Sequence, residues 1–252
     1  MKLRKLIGGL LAVLFTLPAW ALGGLADLSV FDRTEGRRLQ VHWHEGRAYV
    51  VGRPGNEYQI ALRNRSGGDV LAVVSVDGVN VITGETASPA QSGYVLAAGR
   101  SLEIRGWRKS MAQTAAFYFT ALPDSYAART GRPDDVGVIG VALFRRKAEP
   151  IAQPAPVAPA APASRAQGSN DAAGPTDAEA EAKLGTGHGR REHSPAQYAS
   201  FERATSHPAE VITLYYDSRA NLVARGVIRE TVPVAPGPRP FPGFVPDVPR
   251  GS

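Results

Sequence analysis

Val70-Leu71-Ala72-Val73-Val74-Ser75-Val76, followed by Asp77-Gly78 and then Val79-Asn80-Val81-Ile82, decides the fold of this chain. The first seven residues form a nearly continuous apolar strand, and Asp-Gly between two such runs is the strongest short-range hairpin signal in the sequence. On both sides of it, from Leu25 to about Arg146, short alternating segments recur between Gly, Pro, Asn and Asp. Over Arg38 to His44, Leu39, Val41 and Trp43 fall on one face and Gln40, His42 and His44 on the other, the period of two of a half-buried strand. Tyr58, Ile60 and Leu62 repeat the pattern, with Glu57, Gln59 and Arg63 facing out.

Arg53-Pro54-Gly55 and Ser66-Gly67-Gly68-Asp69 supply turns. Leu102 with Ile104, Phe117 with Phe119, and Val136 to Phe144 give further strands, and Leu122 to Asp135 leaves room for a helical turn around Ser125 to Arg129. About eight strands at this spacing predict a mainly β protein, an antiparallel β-sandwich or jelly-roll-like domain over residues 22–148.

Outside that domain the composition changes. Lys2, Arg4 and Lys5, an apolar run from Leu6 to Pro18, and Ala19-Trp20-Ala21 have the layout of a signal peptide cut after Ala21. This predicts a periplasmic or secreted protein, not membrane-spanning once the signal is removed. Without those residues, 26 Lys and Arg stand against 23 Asp and Glu, a net charge of +3. No run of five or six cations tracks a phosphate backbone, so nucleic acid is not expected as a partner. The absence of cysteine removes disulfides, thiol nucleophiles and thiolate metal sites, so stability must come from a packed core.

Residues 149–182 are an Ala/Pro-rich stretch followed by Ser, Gly, Asn, Asp and Glu. With almost nothing to bury, they are expected to be a semi-extended, disordered linker. Residues 183–230 then carry a second ordered pattern. Ser194-Pro195-Ala196-Gln197 has a capping-box layout, predicting a helix to about Ala204 with Tyr198 and Phe201 on one face. Val211 to Tyr216 and Leu222 to Ile228 predict a hairpin across Asp217 to Asn221. One helix and one hairpin are too small to stand alone, so this segment is expected to dock on the first domain, against an edge strand. Residues 231–252 are Pro-rich and expected to be a disordered tail.

Three constellations have chemical potential. His42 and His44 project the same way from a strand, but they lack the third and fourth ligands that zinc wants, and no metal or other cofactor is expected. Gly185 to His193 holds His188, Glu192 and His193 in a glycine-rich stretch. Its His-x-x-x-Glu-His spacing is one residue longer than the helical metallohydrolase motif, and the glycines forbid a stable helix there. The bland expectation is a mobile polar docking loop; the alternative is a hydrolase site between this loop and Glu85.

The third is a surface of loops: Thr83 to Pro89, Trp107-Arg108-Lys109, and Arg129 to Pro133. There Trp107, Arg108, Lys109 and Arg132 offer an anchor for an anionic or sugar-like ligand. The competing expectation is that Trp107 is core. No Gly-x-Ser-x-Gly elbow, phosphate-cradling loop or calcium loop is present.

The blocks Val76 to Glu85, Gln91 to Leu96, Gly106 to Ser110, Ala115 to Thr120 and Ser125 to Phe144 resemble an uncharacterised family of exported proteobacterial proteins, and Leu184 to Ile228 resembles sequence that accompanies them there. The resemblance implies a Gram-negative envelope or secreted setting and carries over no functional residue. The functional expectation is an envelope binding or scaffolding module whose partner is an envelope protein or a glycan.

Overall fold

The computed structural model describes residues 22–148 and 183–229, so the expected signal peptide, linker and tail lie outside the described residues. The protein is mainly β: two sheets pack face to face, with a few short helices. In chain order the strands are β1 (Ala26–Asp32), β2 (Arg37–Arg38), β3 (Val41–His44), β4 (Arg47–Val51), β5 (Glu57–Asn64), β6 (Val70–Val76), β7 (Val79–Asn80), β8 (Tyr94–Leu96), β9 (Ser101–Ile104), β10 (Gly106–Arg108), β11 (Gln113–Ala121), β12 (Val138–Arg145), β13 (Leu184–His193) and β14 (Glu210–Asp217). Two short helices, α1 (Tyr126–Arg129) and α2 (Arg219–Ala224), complete the order with a single 3-10 turn at Leu122–Asp124.

The first sheet runs β10-β11-β5-β1-β2, with β13 on β11 and β9 on β5. The second runs β3-β4-β14-β12-β6-β7, with β8 on β6. Every pairing is antiparallel except β14 with β4. Side chains alternating inward from both sheets, among them Leu28, Ile60, Leu62, Val74, Phe117, Phe119, Val141 and Leu214, form one continuous core.

Asp77 and Gly78 both have positive φ, 52° and 70°, the backbone that a tight primed hairpin turn demands. The returning strand is shorter than the apolar run, only Val79–Asn80. The Asn80 carboxamide oxygen accepts the N–H groups of Ile82 and Thr83 and bends the chain away from β6. β3 also departs from its pattern: Leu39 is buried and Val41 half-buried, but Trp43 is 49% exposed, because β3 is the edge of its sheet and only its beginning faces the core.

Residues 183–229 are built into both sheets. β13 lies along β11 from Leu184 opposite Ala121 to His193 opposite Gln113. β14 lies inside the second sheet, bonded to β4 on one side and β12 on the other.

Three local expectations for this segment are corrected. Gly185 to His193 is a strand and not a loop. Its glycines admit neighbours: a Cβ on Gly187 would stand 2.2 Å from the Tyr118 ring and one on Gly185 2.6 Å from the Ser125 Cβ.

The helix expected from Ser194 to Ala204 is absent. That stretch is an extended strap whose backbone bonds to its neighbours, Ser194 N–H to Ala112, Ala196 N–H to Met111 and Ala204 N–H to Arg145. Phe201 packs on Leu71, Val73, Ala142 and Phe144, while Tyr198 is 92% exposed. These tertiary partners outweigh the local capping signal.

The hairpin after β14 is also absent, since both edges of β14 are already paired. Ser218 instead caps α2, its hydroxyl accepting the Asn221 N–H, and Leu222 and Ile228 pack on Tyr49.

Candidate functional site

Two places concentrate polar chemistry, and each joins residues of 22–148 to residues of 183–229. The first is buried between the sheets. One Asp77 carboxylate oxygen accepts the Gly137 N–H at 2.9 Å and the Tyr216 hydroxyl at 2.5 Å, and the other accepts the Thr186 N–H at 2.7 Å. The Thr186 hydroxyl lies 2.6 Å from both the Tyr216 and the Tyr58 hydroxyls.

A hydroxyl has one proton to give, and Tyr216 gives its own to Asp77. Thr186 therefore donates to Tyr216 and accepts from Tyr58, so the protons run Tyr58 to Thr186 to Tyr216 to Asp77. Burial pushes the Asp77 carboxyl up from its ordinary 3.8 to about 6, against the pull of those hydrogen bonds. Burial likewise drives both tyrosine hydroxyls well above their usual range, with the Asp77 charge adding to it. All four residues are at most 2% exposed, so the cluster presents nothing to a ligand and acts as a joint.

The second place is open. A cleft of about 370 Å³ is lined by Asp32, Arg37, Leu39, Gln40, His42, Val51, Gly52, Arg53, Pro54, Ser218 and Arg219. It forms where the chain crosses from β2 into β3, beside the loop from β4 to β5, and the start of α2 closes it. Asp32 fixes the floor: its two oxygens accept the Glu35 N–H and the Asn56 side-chain amide, each at 2.8 Å. The Gly52 N–H donates to the Asp217 carbonyl, tying the end of β14 to the cleft wall.

Arg37 and Arg53 share Glu35 at 2.5 and 2.6 Å, and the Arg37 hydrogen bond, with both positive charges, holds the Glu35 carboxyl below its usual range. Arg219 has no acidic partner among the described residues. His42 is held below its ordinary value, first by partial burial and then by the charge of Arg219, which lines the same cleft.

No protein-family model, curated protein or solved structure matches the chain. The candidate site therefore rests on its own geometry.

Of the residues singled out from sequence, Trp107 is a correction as a ligand anchor. It is 3% exposed, packed edge-on to Phe117 at 5.1 Å and beneath Tyr126 at 5.0 Å, because alternation on β10 turns it into the core. Arg108 is a strut, donating to the Tyr94 hydroxyl and to the carbonyl and hydroxyl of Ser194. Arg132 donates to the Gly84 carbonyl and the Thr130 hydroxyl. Lys109 is exposed.

His188 stacks near Tyr126 at 5.5 Å and is held below its ordinary value by burial and then by Lys109. Glu192 turns elsewhere, to Arg33 through two bonds of 3.0 and 2.8 Å and to Arg190. The register shift between Ala115 and Phe117 on β11 separates the stretches that carry His188 and Glu192. Exposed Glu85 bonds Gln91, and His193 is exposed opposite Gln113. The structure thus gathers Trp107, Tyr126, Lys109 and His188 at one corner, but no described contact joins His188, Glu192, His193 and Glu85 into a catalytic set.

His42 lines the cleft, while His44 lies 3.8 Å from Glu45. Among the described residues no group of three or more His, Cys, Asp or Glu is placed to hold a metal ion, and no helix is long and apolar enough to cross a membrane. The cleft itself was missed by sequence reading apart from His42. Its arginines stand far apart in the chain, and only the strand crossings bring them together.

Proposed function

We propose that the protein is an exported binding module of the cell envelope, a β-sandwich that engages its ligand, on an envelope protein or glycan, at the cleft between β3, the β4–β5 loop and α2. The observation that carries this is the cleft: a concave site at the low end of small-ligand volumes, lined by the ends of β1 and β4, by β2, β3 and the β4–β5 loop, and by Ser218 and Arg219 at the start of α2. The leader-like Lys2 to Ala21 supports export. The dispersal of His188, Glu192, His193 and Glu85, each with its own partner or surface position, favours binding over hydrolysis.

The test is photo-crosslinking in the native envelope, with a probe at exposed Gln40 on the cleft wall and a control probe at Lys109. Reproducible adducts from Gln40 and none from Lys109 are expected. Adducts from Lys109 alone would move the binding surface to the Tyr126 corner and overturn the assignment of the cleft.

A further inference from the structure

The charged clusters of this protein differ in how completely they are neutralised. On the outer face of the first sheet, Arg33 and Arg190 are matched by Glu57 and Glu192. Near the end of β12, Arg146 and Lys147 are matched by Asp69 and Glu202. These pairs leave little for a ligand, although Arg145, beside Arg146 and Lys147, is exposed with no acidic partner among the described residues.

The cleft also has a cation to spare, and there the cation lines a concave site. Arg37 and Arg53 converge on the single carboxylate of Glu35, and Asp32 is buried with both oxygens committed to Glu35 N–H and Asn56. Even counting both acids, one cation is left over, and it is Arg219. That cation lines the same cleft as the half-buried His42 imidazole, whose protonation is disfavoured by burial and then by the Arg219 charge. A cation with no acidic partner among the described residues, on the same cleft wall as an imidazole N–H donor, leaves a place for an anion. The guanidinium fork supplies paired donors, and the imidazole supplies one more.

We infer that the cleft takes an oxyanion, a phosphate or carboxylate group on a small or sugar-sized ligand, held between Arg219, His42 and Arg53. This rests on the binding-module reading and names the chemistry of its ligand. Glu35 shows how the site treats such a group: it is a carboxylate already seated between Arg37 and Arg53, next to the place the ligand's group would occupy. Arg219 reaches the cleft only because β14 ends at Asp217 and Ser218 starts α2 there, so the site exists only in a chain whose later segment is in place.

The test titrates the full chain with inorganic phosphate and, separately, with citrate, following backbone and arginine Nε–H resonances and the His42 imidazole by NMR. Saturable shifts confined to Gly52, Arg53, Ser218 and Arg219 are expected. His42 should titrate at higher pH in the presence of phosphate, since an anion offsets the Arg219 charge; Asp32, Arg37 and Arg53 are the other charged groups that line the cleft. Arg219→Ala should weaken binding about fivefold. Glu35→Gln, which frees two guanidinium groups, should tighten it about threefold. Phosphate against citrate separates the two sources of the anionic group.

Shifts that rise linearly and spread over all surface arginines, or affinity unchanged in Arg219→Ala, would overturn the inference. Capture of an uncharged ligand from the Gln40 probe would do so as well, while leaving the binding module standing.

Discussion

The buried cluster around Asp77 and the open cleft around Arg219 are assembled from the same two stretches, 22–148 and 183–229, and both place charge beside polar side chains. They differ in access to water. At Asp77 every hydrogen-bonding partner is fixed and solvent is excluded, so the charge is held at the cost of a raised carboxyl pKa and its energy goes into joining the two stretches. At the cleft, water screens the arginines, their pairing contributes little to folding, and one of them is spare. Burial turns polar residues into a joint, and exposure leaves similar chemistry free for a ligand.

The contrast breaks most visibly at the joint. Asp77→Ala leaves the Gly137 and Thr186 N–H groups and the Tyr216 hydroxyl without their buried acceptor. It should cost about 4 kcal/mol in chemical denaturation. A cost below about 1 kcal/mol would mean that water or a neighbour replaces the carboxylate.

The pH dependence sharpens the same point. The folded carboxyl titrates near 6 against an ordinary 3.8. Folding therefore takes up a proton between those values, and stability should fall as pH rises from about 4 to about 6.5, by about 2–3 kcal/mol. Glu35 and Glu57, held below their usual range by arginine partners, act in the opposite sense at lower pH. The comparison is thus with Asp77→Asn, whose profile should lack the fall. Parallel profiles for the two proteins would contradict the assignment.

The third effect lies at the strap. Phe201 is only half-buried, so Phe201→Ala should cost about 2 kcal/mol, below the ~3–5 of a fully buried phenylalanine, and should speed hydrogen exchange in residues 194–209 while sparing β14. The smallest effect belongs to the cleft: Arg219→Ala should change unfolding free energy by no more than about 0.5 kcal/mol, since its side chain is exposed and unpaired among the described residues. A large loss there would make Arg219 part of the scaffold and not of a binding surface.

What sequence made legible was local. Asp77-Gly78 sets a turn by its own backbone preferences, and Val70 to Val76 and Val138 to Arg145 are apolar enough to be strands in any setting. What misled was also local chemistry overruled from a distance. Ser194-Pro195-Ala196-Gln197 carries a capping signal, but Phe201 and the backbone bonds to Ala112, Met111 and Arg145 hold the chain extended.

The glycines at 185, 187 and 189 read as mobility, although their period of two is that of a strand making room for Tyr118 and Ser125. Leu222 to Ile228, two apolar runs beyond a polar turn, reads as the return strand of a hairpin, yet Ser218 offers the cap that wins once β14 has no free edge. The cleft had almost no sequence signature. Arg37, Arg53 and Arg219 meet only after the chain has switched sheets and the later segment has returned.

The claim beneath all of this is that residues 183–229 are structural members of one two-sheet fold, with β14 as an interior strand and the strap as an outer fastening. Native-state hydrogen exchange tests it most directly. The account predicts that amides of Ile212, Leu214 and Tyr216 in β14 exchange only with global unfolding, alongside Val74 in β6 and Val141 in β12, while residues 194–209 open earlier. Exchange of β14 together with the strap, well before β6 and β12, would contradict it.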